Sequence, residues 1–126
     1  MEKAEKTLER AKKLISDNKK DDAAHLLCSI LDADPKHAEA LITLGLVYAQ
    51  TKNFQKAARY LKRYRSLGFK DKYVENNLGV IYYQNKKYKQ AGSAFRNALK
   101  IDKNYFEARF NHVKMLYKTG AYDKAL

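Results

Sequence analysis

The sequence predicts an all-α solenoid, in which antiparallel helix pairs stack side by side instead of wrapping one central core. Two observations carry this. Ala23, Ala57, Ala91 and Ala125 stand 34 residues apart, and Leu44/Leu78, Gly45/Gly79, Tyr48/Tyr82 and Phe54/Tyr88/Tyr122 keep the same beat. Within each interval apolar residues recur at helical spacing, as in Leu41, Leu44 and Tyr48 and again in Ala57, Ala58, Leu61 and Tyr64. The alternation expected of a half-buried strand is absent.

Taken in order, the helices are expected over residues 3–17 and 20–32, 37–50 and 54–67, 72–85 and 88–101, then 105–118 with another starting at 122. Turn signals fall between them: Lys52-Asn53, Leu67-Gly68, Asn85-Lys86-Lys87, Asp102-Lys103-Asn104 and Thr119-Gly120. Asn53 and Asn104 are expected N-caps, because their side chains can accept from free amides at a helix start. Pro35 cannot continue a helix interior and separates the second helix from the third. Gly45 and Gly79 on first helices, with Ala57 and Ala91 on second helices, let the two backbones approach. Tyr48, Tyr82, Leu61 and Phe95 then fill the space around that contact.

The run Leu41-x-x-Leu44-Gly45-x-x-Tyr48 followed by Ala57-x-x-x-Leu61, repeated as Leu78-Gly79-x-x-Tyr82 and Ala91-x-x-x-Phe95, resembles the tetratricopeptide repeat. The resemblance implies a right-handed superhelical array of about three and a half repeats, near 4–37, 38–71, 72–105 and 106–126. The first unit keeps only Ala23-x-x-x-Leu27, Ile30 and Pro35, with Arg10 and Ala11 in place of Leu-Gly. In the fourth, His112 and Val113 occupy those places and Leu116 replaces the tyrosine, so Val113 should push its partner helix away or change its tilt. The chain is expected to continue past Leu126, since the apolar residues of that unit would otherwise lose their covering neighbour.

Arrays of this family line a concave groove with their first helices and commonly hold a peptide there. Carried over by position, the groove residues are Glu39, Ile42, Thr43, Leu46 and Gln50 in the second unit. In the third they are Tyr73, Asn76, Asn77, Val80, Tyr83 and Gln84, and in the fourth Glu107, Phe110, Asn111, Lys114 and Tyr117. Asn77 and Asn111 resemble half of the asparagine ladder with which some of these arrays grip a peptide backbone. The clamp that binds the C-terminal carboxylate of heat-shock chaperones would need basic and amide residues where this chain has Leu8, Lys12, Thr43, Tyr73 and Asn77. Only Lys12 has the right charge, which argues against that mode.

The net charge of +12 is concentrated after the first unit: residues 1–37 balance eight bases with eight acids, whereas residues 38–105 hold fourteen bases and four acids. Lys52, Lys86, Lys87 and Lys118 gather at turns within units as a basic rim. An acidic protein or peptide is the partner this favours. Nucleic acid is the rival for the charge, disfavoured by the Leu-Gly-x-x-Tyr signature; self-association into a scaffold is a further alternative. His25, His37 and His112 lie in different units, and no metal-ligand spacing, phosphate loop or nucleophile–base pair is visible. The chain therefore reads as a non-catalytic interaction module without cofactor or metal. His112 is expected to be a half-buried packing residue. Cys28, the single cysteine, reads as a small buried hydrophobe and allows no internal disulfide. No apolar run reaches the ~20 residues of a membrane span. The N-terminus lacks a signal core, so the expected location is cytoplasmic; richness in lysine, asparagine and tyrosine points to a bacterial source.

Overall fold

A computed structural model describes residues 2–120. Seven helices are present among them: α1 (Glu2–Ser16), α2 (Lys20–Ala33), α3 (Ala38–Gln50), α4 (Phe54–Ser66), α5 (Lys72–Gln84), α6 (Tyr88–Ile101) and α7 (Phe106–Lys118). Each border lies within a residue or so of its expected place. The helix expected from 122 lies outside the described residues, as does the partner that Val113 was expected to displace. Packing divides the chain into two units, one ending at Phe69 and the other starting at Lys70.

In the first unit α1 pairs with α2 and α3 with α4, and α2 packs on α3. Its core runs through Leu8, Ala11, Leu27, Ile30, Leu41, Leu44 and Val47. Ala11, in the place of the glycine, is fully buried. In the second unit α5 pairs with α6, and α7 packs on both. The expected close contacts are present in each. A Cβ on Gly45 would lie 2.7 Å from Cγ of Leu61, and one on Gly79 would lie 2.6 Å from Cδ1 of Phe95. Each glycine thus leaves room for the large side chain facing it.

The turns within pairs share one geometry. Asn18, Lys52, Lys86 and Gly120 all have positive φ (62°, 63°, 60° and 78°) and recur at the repeat interval. After the first three, the next N–H donates to the carbonyl five residues back: Lys19 to Leu14 (2.7 Å), Asn53 to Tyr48 (2.8 Å) and Lys87 to Tyr82 (2.8 Å). This is the left-handed closure that satisfies the last carbonyls of a helix.

The caps are partly as expected. Asn53 accepts from the Lys56 N–H at 3.4 Å. Asn104 does not cap α7; Tyr105 holds that position without a side-chain cap bond. The Asn104 N–H instead donates to Asp102 Oδ1 (3.0 Å), which draws the residue into the preceding turn. Two caps were not anticipated: His37 Nδ1 accepts from Ala40 N–H (3.1 Å), and Asp71 Oδ1 accepts from Tyr73 N–H (2.9 Å) and Val74 N–H (3.2 Å).

Cys28 is half-buried, not fully enclosed. The Tyr48 and Tyr60 pKa values are raised, first by burial and then by the neighbouring Cys28. Those two rings stack with centroids 5.7 Å apart. His112 is a half-buried packing residue, as expected, with its ring 5.8 Å from that of Phe95.

Candidate functional site

The leading helices of the second unit are α5 and α7. Val74, Leu78, Gly79, Ile81 and Tyr82 turn one side of α5 into the core, and Tyr73, Asn77, Val80, Tyr83 and Gln84 are left less buried. Tyr73 is 58% exposed; Asn77, Val80 and Tyr83 are half-buried, and Gln84 is exposed. On α7, Phe110 and Tyr117 are 56% and 70% exposed, Lys114 is exposed and Asn111 is half-buried. Lys114 Nζ stands 5.5 Å from the centre of the Phe110 ring. In the first unit, Ile42, Thr43 and Leu46 on α3 are half-buried and Gln50 is exposed. Glu39 pairs with Lys12 across the two leading helices at 2.5 Å.

Asn76 departs from the expected set. It is only 4% exposed, and its Oδ1 accepts from Asn111 Nδ2 at 3.2 Å, tying α5 to α7. The Tyr105 hydroxyl donates to Glu107 Oε2 at 3.4 Å. Burial first, and Glu107 second, push the Tyr105 pKa up. Asn77 donates to the carbonyl of Tyr73 in its own helix (2.8 Å). Both ladder asparagines thus have an amide N–H engaged inside the unit, and each keeps a second one. A buried amide must be partnered, and the bond from Asn111 partners Asn76 Oδ1.

A second cluster was not legible in the sequence. Lys72 Nζ pairs with Asp102 Oδ2 at 2.6 Å and lies 5.3 Å and 5.1 Å from the ring centres of Tyr73 and Tyr105. The two rings meet edge to face at 5.5 Å. The bond from Lys72 lowers the Asp102 pKa, and the same bond raises that of Lys72. The cluster braces the entry of α5 against the turn before α7 and sets the pose of Tyr73. The rim lysines Lys52, Lys86, Lys87 and Lys118 are all exposed.

A family model for the tetratricopeptide repeat matches residues 8–70, and a second model for the same repeat matches residues 73–105. The chain belongs to the tetratricopeptide repeat family. Among curated proteins it is similar to anaphase-promoting complex subunit 3 of Schizosaccharomyces pombe, at 31% identity over 91 residues. That match takes in 72% of this chain and 14% of the relative, so the chain spans about one seventh of that protein's length. Among solved structures, a crystal structure of MamA protein superposes with a TM-score of 0.93 at 22% identity, covering 97% of this chain and 67% of that one. The first tetratricopeptide domain of Spaghetti, bound to the HSP90 peptide SRMEEVD, superposes with a TM-score of 0.87 at 21% identity, covering 94% of each chain. At these identities the likenesses establish the all-α tetratricopeptide solenoid fold. Tetratricopeptide arrays are typically interaction modules, and this chain is a protein-interaction scaffold by family. None of its described helices is long and apolar enough to cross a membrane.

Proposed function

We propose that this tetratricopeptide chain binds an acidic segment of another protein along the exposed side of α5 and α7, the leading helices of its second unit. The observation that carries the reading is the exposure of Tyr73, Phe110 and Tyr117 on helices whose packing is already provided by other residues. Rings of this size held at a surface bury large area when a partner covers them, and neighbouring amides can pair with its backbone.

Charge supports an acidic partner. No acid occurs between Ala40 and Lys70, a span that holds seven bases, and the rim lysines are exposed. The peptide carried by the Spaghetti domain contains two glutamates and an aspartate. The means of recognition differs from a terminal-carboxylate clamp, since Leu8 is buried and Lys12 is already paired with Glu39. The segment would be read along its length.

The test is fluorescence anisotropy with labelled peptides of equal length, one set rich in Glu and aromatic residues and one with every Glu changed to Gln. The acidic set binds more tightly, and its advantage shrinks as salt rises. Replacing Tyr73, Tyr83 and Tyr117 together with Ala weakens binding at least about tenfold, the loss expected from removing interface aromatics, while helicity is kept. Equal binding of both peptide sets would remove the acidic specificity. Undiminished binding by the triple variant would remove this surface.

A further inference from the structure

The outer side of α4 is basic along its length. Gln55, Arg59, Lys62 and Ser66, spaced four, three and four residues apart, are all exposed, and Lys56 and Arg63 flank them. Ala57 and Leu61, on the opposite side of the same helix, are fully buried. The stripe is about 17 Å long. Gln55, Arg59, Lys62, Arg63 and Ser66 line a shallow hollow of about 500 Å³ on it. Three helices precede α4 and three follow it among the described residues, so this exposure does not depend on a chain end.

The bases are positioned but not neutralised. Lys56 Nζ lies 5.4 Å from the centre of the Tyr48 ring. Arg63 Cζ lies 5.4 Å from the centre of the Tyr60 ring, and its guanidinium donates to the Pro35 carbonyl at 2.9 Å. Arg59 and Lys62 have no ion pair among the described residues. No acid lies on α4 itself. From Lys56 to Arg63 four positive charges stand along about 10 Å of helix, a length over which a nucleic acid duplex presents about six phosphate charges.

The make-up of the stripe selects among polyanions. A helix that lies on a bilayer also inserts apolar side chains, and a single strand needs exposed rings on which its bases stack. The stripe offers neither: Ala57, Ala58 and Leu61 face the core, and Tyr60 is half-buried and stacked on Tyr48. Charge and the amide donor of Gln55 remain, and these suit contact with phosphate oxygens alone.

We propose that the outer side of α4 docks on the phosphate backbone of double-stranded DNA, with Lys56, Arg59, Lys62 and Arg63 as the contacts and no preference for base sequence. This goes beyond the acidic-segment reading, since it uses a second helix of the first unit and no residue of α5 or α7. The Leu-Gly-x-x-Tyr signature that disfavours nucleic acid concerns the leading helices, not this one.

The experiment is fluorescence anisotropy of the full chain with a labelled duplex of about 24 base pairs, from about 0.05 to 0.2 M salt. The duplex binds with a micromolar Kd at the low end. The logarithm of the affinity falls against that of salt with a slope of about 3 to 4, as four phosphate contacts require. Arg59→Glu with Lys62→Glu, both at exposed positions, weakens binding at least about tenfold and lowers the slope by about 2, with unchanged circular dichroism. Lys3→Glu with Lys6→Glu, exposed on α1, alters the net charge equally and keeps the slope. Absence of binding at low salt, equal losses from the two charge reversals, tighter binding of a single strand of the same length, or capture by phosphatidylserine vesicles alone would each overturn the proposal. No peptide is present, so such a failure leaves the acidic-segment reading intact.

Discussion

Asn111 on α7 donates its side-chain amide to Oδ1 of Asn76 on α5, 35 positions earlier in the chain, at 3.2 Å. Asn76 is buried, so this bond is part of how the second unit holds together. Asn111→Ala leaves the Asn76 acceptor enclosed and unpaired, at a cost of about 1–3 kcal/mol. Urea titration should show the unfolding free energy falling by that amount, with a correspondingly lower midpoint. In a double-mutant cycle with Asn76→Ala the losses should be less than additive, and additive losses would mean the two side chains act independently.

Gly79 and Phe95 offer a test in which two effects oppose. Alanine gains about 1 kcal/mol of helix propensity over glycine. The added methyl would nevertheless overlap the fully buried Phe95 ring, and overpacking costs about 1–3 kcal/mol. Gly79→Ala should therefore be neutral to clearly destabilising, and Phe95→Leu in that background should recover part of the loss. A melting temperature raised by Gly79→Ala alone would show that the two helices can separate freely.

His112 supplies a pH dependence. Its Nε2 is buried and has no hydrogen-bond partner among the described residues. Burial first, and the Arg96 charge second, lower its pKa below the ordinary 6.5. The unfolded chain thus binds a proton that the folded chain resists. This contribution to stability is complete above pH 6.5 and is lost as pH falls from there through the folded-state pKa. His112→Leu, which restores the family's residue type, should flatten the melting temperature between pH 7 and 5 relative to the parent chain.

Lys52 and Lys86 sit at positive φ, where a side chain is strained and glycine is not. Lys52→Gly and Lys86→Gly should each raise stability by about 0.5–1 kcal/mol, measured by denaturant midpoint. The same changes remove rim charges, so binding of acidic peptides should weaken as stability rises. Opposite movement of the two readouts would separate the electrostatic contribution of these lysines from their structural cost.

Much of this was legible because helix patterning is local. Gly45 and Gly79 at one interval, with Leu61 and Phe95 at another, state which faces must meet, and the structure brings those pairs together. Asn104 was misread because Asp71, His37 and Asn53 show that a cap depends on the path entering the helix. Asp102 redirects that path by binding the Asn104 N–H. Asn76 was misread because a surface register says where a Cα lies, not whether a side chain from a later helix will enclose it.

The sequence alone determined the repeat, the helix borders and the packed faces, since all follow from spacings of three, four and thirty-four residues. Only the tertiary structure decided that Asn76 is enclosed, that Lys72 is caught between Asp102 and two tyrosine rings, and that Nε2 of the half-buried His112 has no hydrogen-bond partner among the described residues. Those outcomes depend on which rotamers meet across helices some thirty residues apart, and periodicity carries no information about that.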